Sequence, residues 1–136
     1  MNPKIWLVLA GLLGAAGVSL GAYHAHGLEG WLEKQGLDSV EVAGRMHNCE
    51  VGVRYQMYHV LALAAVAILA FRQNTASLAV AGVCFFLGVL IFSGLLYGIV
   101  FTGVKILGAI VPIGGVLLIV GWLALAWAAF KLESTL

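Results

Sequence analysis

The sequence predicts an all-α fold: a polytopic membrane protein built as a four-helix transmembrane bundle, with a short interfacial helix in its first loop. Three observations predict it. Of 136 residues, 62% are hydrophobic and only 10% are charged, and the mean hydropathy is +1.05, so there is far more apolar surface than one small core could bury. Four apolar stretches, at about 5–23, 53–71, 78–101 and 106–130, each approach the ~20 residues that cross a ~30 Å hydrocarbon layer. Most of the charged residues fall together in the connection 24–52. The chain, 1–136, reads as a single transmembrane domain. With a net charge of +1 and no basic run, it carries no electrostatic footprint for nucleic acid. Its first partner is the lipid bilayer.

The first stretch, 5–23, is uncharged and long enough to span, and reads as a retained helix in preference to a cleaved signal peptide. Glycines at 11, 14, 17 and 21 place a smooth stripe along one face, which lets a neighbouring backbone approach closely. Gly17-x-x-x-Gly21 therefore marks a packing surface, for this chain's own helices or for a second copy. Residues 28–37 form an amphipathic piece at the interface, with Leu28, Trp31 and Leu32 inward, and Gly36 ends it. Asp38-Ser39-Val40-Glu41 has the form of a capping box, in which Asp38 accepts from a free amide and Glu41 reaches back.

No proline interrupts 39–71, so one long helix is expected, its first part outside the membrane. The apolar part proper, 57–71, is too short to span alone, which draws 54–59 to the membrane boundary or just below it. Helical phase then sorts its polar groups. Glu41, Arg45, Asn48, Gly52, Tyr55, Gln56 and His59 share one stripe; His47, Glu50 and Arg54 lie opposite, with Glu50 and Arg54 at pairing distance along the helix. After the polar turn 72–75 comes the third span, containing Ser93, Gly94, Tyr97 and Gly98. The fourth holds Pro112 with Gly114 and Gly115 in its first half, and a kink or local unwinding is expected where proline removes an amide and frees a carbonyl.

Alternating four spans through a bilayer gathers His24, His26, Arg54, Tyr55, Gln56, His59, Ser93, Tyr97 and Pro112 toward the leaflet nearest the long loop. The opposite leaflet is almost wholly aliphatic. Trp6, Trp31, Trp122 and Trp127 suggest interfacial anchors. Cys49 and Cys84 form neither a disulfide framework nor a metal motif.

The segments Gly21-Ala22-Tyr23-His24-Ala25-His26-Gly27-Leu28, Arg54-Tyr55-Gln56-Met57-Tyr58-His59, Phe92-Ser93-Gly94-Leu95-Leu96-Tyr97 and Pro112-Ile113-Gly114-Gly115, with Gly121-Trp122, resemble the motifs of the YgdD/YwdK-like family. The likeness covers nearly the whole chain in order. It implies a small four-helix bacterial inner-membrane protein of unknown function, related to a small mitochondrial transmembrane protein. Two positions depart from the pattern: His24 stands where Gly is expected, and Leu95 where Ser is expected. A role for His24 would be peculiar to this chain.

Ionisable residues at membrane depth point to a site, here His26, Arg54, Tyr55, Gln56, His59, Ser93 and Tyr97. The structural alternative is interhelical hydrogen bonding, with His59 donating to the carbonyl freed by Pro112. His24, His26 and His59 are candidate ligands for a metal or haem, although no carboxylate or thiolate completes the set, so no cofactor is assigned. A lipid or quinone headgroup is a further candidate ligand. A proton or solute path through His59 and Tyr97 would need an oligomer, because the far leaflet offers no polar continuation. No nucleophile stands beside a base at helical spacing, which argues against an enzyme. The expected role is thus a non-enzymatic structural or partner-binding component that packs with itself or another membrane protein. The cation distribution is nearly even, leaning only slightly toward both termini in the cytoplasm.

Overall fold

The structure, a computed structural model, describes residues 2–131; Met1 and the last five residues of the expected domain lie outside them. Helix α1 (Pro3–Tyr23) starts where Asn2 accepts the Lys4 amide at 3.0 Å with proline in the first turn, the position at which a missing N–H costs nothing. It does not stop at Tyr23. A π-helical turn (His24–Leu28) carries it into α2 (Glu29–Lys34), so the expected interfacial helix is fused to the first span. The wider turn brings Leu28 and Leu32 into full burial with Val42, Cys49 and Val100, a small core at the loop end. Gly36, at φ 74°, closes the helix in the left-handed conformation that glycine adopts without penalty.

Helix α3 (Ser39–Arg72) runs 34 residues, ~51 Å at ~1.5 Å per residue, and exceeds one bilayer. Asp38 caps it by accepting the Glu41 amide at 2.8 Å. The return half of the expected capping box is absent, because the Glu41 carboxylate is drawn to Arg45 and Lys105. Helix α4 (Ala76–Thr102) begins with Thr75 accepting the Leu78 amide and ends at Gly103, φ 73°. A 3-10 turn (Lys105–Ala109) then leads into α5 (Val111–Ala129). Pro112 therefore stands in the first turn of α5. The expected kink or local unwinding takes the form of this 3-10 turn, and proline replaces an amide that would have gone unpaired in the first turn of α5.

Four helical rods, Pro3–Lys34, Ser39–Arg72, Ala76–Thr102 and Lys105–Ala129, are long and apolar enough to cross a membrane. Their main interfaces follow the order α1–α3–α4–α5. The principal core joins Trp6, Leu63, Val66, Leu78, Phe85 and Leu118. Trp6 is thus no interfacial anchor; only 6% exposed, its indole lies where a Cβ on Gly82 would be 2.6 Å away. Small residues make such approaches possible, and in lipid, packing of this kind replaces the hydrophobic drive of a soluble core. At Gly114 a Cβ would stand 2.5 Å from the Phe92 backbone nitrogen, so α5 rests directly on the main chain of α4.

Candidate functional site

Three glycines of the expected α1 stripe, Gly14, Gly17 and Gly21, face α3, whereas Gly11 is exposed. A Cβ on Gly14 would meet Val60 at 3.4 Å, one on Gly21 would meet Val53 at 3.4 Å, and one on Gly17 would meet the Met57 sulfur at 2.7 Å and the Gln56 amide nitrogen at 3.3 Å. Into that gap comes Gln56, 3% exposed. Its Nε2 donates to the Leu13 carbonyl on α1 at 2.7 Å, and its Oε1 accepts from the Tyr97 hydroxyl on α4 at 2.8 Å. The amide orientation follows from these partners, because a flip would set oxygen against the carbonyl oxygen. Gly52, one turn earlier on α3, makes room for the Tyr97 ring, whose Cε1 would lie 2.7 Å from an added Cβ. One side chain thereby ties three helices.

His59, 5% exposed, sits one turn deeper. Its Nδ1 lies 2.7 Å from the Tyr55 carbonyl and donates to it. Trp122 on α5 donates its indole N–H to Nε2 at 3.1 Å. Indole is only a donor, so Nε2 is an acceptor and the ring is the neutral Nδ1–H tautomer. Around this pair stand Phe85, 5.2 Å from Trp122 in an edge-to-face arrangement, and Phe92, stacked on Tyr55 at 4.6 Å. Phe85 and Phe92 flank the midpoint of α4 and Leu13 is the midpoint of α1. His59 therefore lies level with the middle of α4, with Phe85 and Trp122 as its neighbours.

The other expected members separate from this cluster. Arg54 is exposed and pairs with Glu50 along the same face of α3. His26 is exposed on the π turn and His24 is half-buried there, at the rim of a loop-end groove of about 600 Å³ shared with Glu29, Glu33 and His47. Neither reaches the middle of the bundle, because the π turn that carries both lies beyond the end of α1, at the loop end. Ser93 is 1% exposed, and its Oγ has no hydrogen-bond partner among the described residues. Pro112 frees no carbonyl for His59, which bonds within α3 and to α5 instead.

The chemistry this allows is narrow. The Nε2 lone pair that would bind a metal or haem iron is already occupied by Trp122. Among the described residues, no group of three or more His, Cys, Asp or Glu side chains has the geometry to hold a metal ion, and both cysteines are free and buried. No hydrogen bond among the described residues joins His59 to Tyr97, so the two do not form a relay. At the loop end, Glu41 binds Arg45 at 3.0 Å and Lys105 at 2.9 Å, while Arg45 donates to the Val100 carbonyl at 3.2 Å. Hydrogen bonding from Lys105, then from Arg45, holds the Glu41 carboxyl below its ordinary value. Sequence reasoning missed Leu13, Phe92 and the role of Trp122. A tryptophan in the interior of an apolar span, where its N–H needs an acceptor, was the available signal for the last.

Among the described residues, four membrane-length helices, with Gln56 and His59 hydrogen-bonded between them, define a small polytopic integral membrane protein. Residues 20–115 match the family described as Protein of unknown function (DUF423). The chain is 38% identical over 130 residues to a UPF0382 membrane protein of Haemophilus influenzae, covering 95% of this chain and 96% of that one. It is 39% identical over 129 residues to the UPF0382 membrane protein YwdK of Bacillus subtilis, covering 94% and 98%. It is 42% identical over 130 residues to a UPF0382 membrane protein of Staphylococcus haemolyticus, covering 94% and 97%. The chain belongs to this DUF423 family of UPF0382 membrane proteins. No solved structure matches it.

Proposed function

We propose that this protein is a non-enzymatic structural component of the inner membrane that packs with a second copy or a partner membrane protein, with both termini in the cytoplasm. The observation that carries this reading is that the Gln56 amide and both His59 ring nitrogens are spent on backbone or neighbouring helices. Side chains committed in this way hold a bundle in one arrangement; they leave no free base or ligand at mid-depth. Purified wild type should show no Soret band and no stoichiometric metal, and His59→Ala should lower thermal stability without releasing a bound species. A chromophore or metal lost with His59 would overturn the structural reading. A reporter fused after Leu136 tests the orientation, and activity on the outer side of the membrane would reverse it.

A further inference from the structure

Because α5 packs chiefly on α4, the side between α3 and α5 is left as a furrow floored by α4. It has three successive parts. At the loop end, Glu41, Arg45, Asn48 and Lys105 stand over Leu96 and Val111 around about 470 Å³. Toward the middle, Tyr55, His59, Phe92, Gly115, Ile119 and Trp122 line about 410 Å³. A third part, about 430 Å³, shares Tyr58 and Trp122 with the second and continues between aliphatic walls. The first two are joined by an apolar strip, since Leu96, Ile99 and Val111 form one cluster with Val51 and Phe92.

We propose that the first two parts bind one phospholipid with an anionic headgroup, its phosphate at Lys105 and an acyl chain along the aromatic furrow. Charge and length both select this occupant. Arg45 and Lys105 face the one carboxylate of Glu41, leaving the mouth at +1; the Arg45 side chain, 13% exposed, is spent on Glu41 and the Val100 carbonyl, whereas Lys105, 78% exposed, remains open to an anion. From Arg45 to His59 the furrow descends ~21 Å at ~1.5 Å per residue, the reach of a single leaflet from headgroup to midplane of a ~30 Å core plus its polar boundary. Polarity falls along that line from charged to aromatic. A partner helix would meet no such gradient confined to one leaflet.

Native mass spectrometry of the full chain in detergent, with phosphatidylglycerol or phosphatidylcholine added at equal concentration, tests this. One phosphatidylglycerol should be retained in preference to phosphatidylcholine. Lys105→Gln should weaken its retention about fivefold, the usual weight of one cation at an anionic surface, while Lys131→Gln, outside the furrow, leaves it unchanged. Ile119→Trp, at an exposed position on the wall, should weaken both lipids by occupying the chain's path. Equal retention of the two lipids by wild type, or equal effects of Lys105→Gln and Lys131→Gln, would overturn the proposal. So would a dimer abolished by Ile119→Trp with lipid retention unaffected, which would assign the furrow to a second copy.

Discussion

Replacing Gln56 by Met keeps an unbranched side chain of similar volume and deletes both arms of the junction between α1, α3 and α4. Interhelical hydrogen bonds in membranes contribute ~0.6 kcal/mol on average and up to ~1.7 kcal/mol, so two of them amount to ~1–3 kcal/mol. The Leu13 carbonyl loses only its second acceptor bond, as helix geometry supplies the first. The Tyr97 hydroxyl, half-buried against Gly52, loses its partner outright, and a stranded buried donor costs ~1–3 kcal/mol. Counting the Leu13 bond at ~0.6–1.7 kcal/mol and the Tyr97 bond through its stranded donor at ~1–3 kcal/mol gives ~2–5 kcal/mol for Gln56→Met. Tyr97→Phe removes that stranded donor, so the double variant should cost less than the sum of the two single changes by ~1 kcal/mol or more, the coupling typical of residues in contact. Unfolding in mixed micelles with increasing SDS, followed by circular dichroism, measures all three. Additive effects, or a Gln56→Met change under ~0.5 kcal/mol, the range of ordinary surface substitutions, would refute the three-helix junction.

Other outcomes follow from the same contacts. Gly114→Ala should destabilise by ~1–3 kcal/mol through overpacking, because its Cβ meets the Phe92 backbone nitrogen at 2.5 Å, whereas Gly11→Ala, with nothing within 4 Å, should be neutral or stabilising; paired unfolding curves decide it, and equal effects would refute the close seating of α5 on α4. Ser93→Ala removes a buried hydroxyl that has no partner among the described residues and should raise stability or leave it unchanged, while a loss above ~1 kcal/mol, the usual net worth of a hydrogen bond, would show that the hydroxyl is engaged. Since Glu41 is held below its ordinary value chiefly by Lys105, its contribution is present above the unfolded-state carboxylate pKa and is lost as pH falls through the lower folded value. Wild type should therefore lose stability over that acidic window more steeply than Glu41→Gln, and parallel pH profiles would contradict the ion-pair geometry.

How much of this was legible in the sequence depends on whether a feature is local. The four spans, the Asp38 cap, the Glu50–Arg54 pair and the long α3 follow from composition, helical period and turn residues, all of which act within a few positions of chain. The same logic placed Tyr55, Gln56 and His59 on one stripe of α3. The neighbours of His59 were not legible, because span counting sees only α3, whereas Phe85 of α4 and Trp122 of α5 are brought beside it by packing. Pro112 signalled that the fourth rod is interrupted but not the form of the break, a 3-10 turn (Lys105–Ala109) that leaves the proline in the first turn of α5.

By itself the sequence determined that this chain lives in a bilayer as four helices, since a polypeptide that is 62% hydrophobic must bury its backbone polar groups in helical hydrogen bonds when lipid is the solvent. Only the tertiary structure decided what the polar residues do there. A glutamine at membrane depth needs partners, but Leu13 and Tyr97 lie 43 and 41 positions away from it in sequence, and Trp122 lies 63 from His59. Those pairings depend on which glycines let backbones approach and on which helix neighbours which, a geometric outcome of packing the four rods together. That same packing leaves α3 and α5 apart and opens the furrow between them.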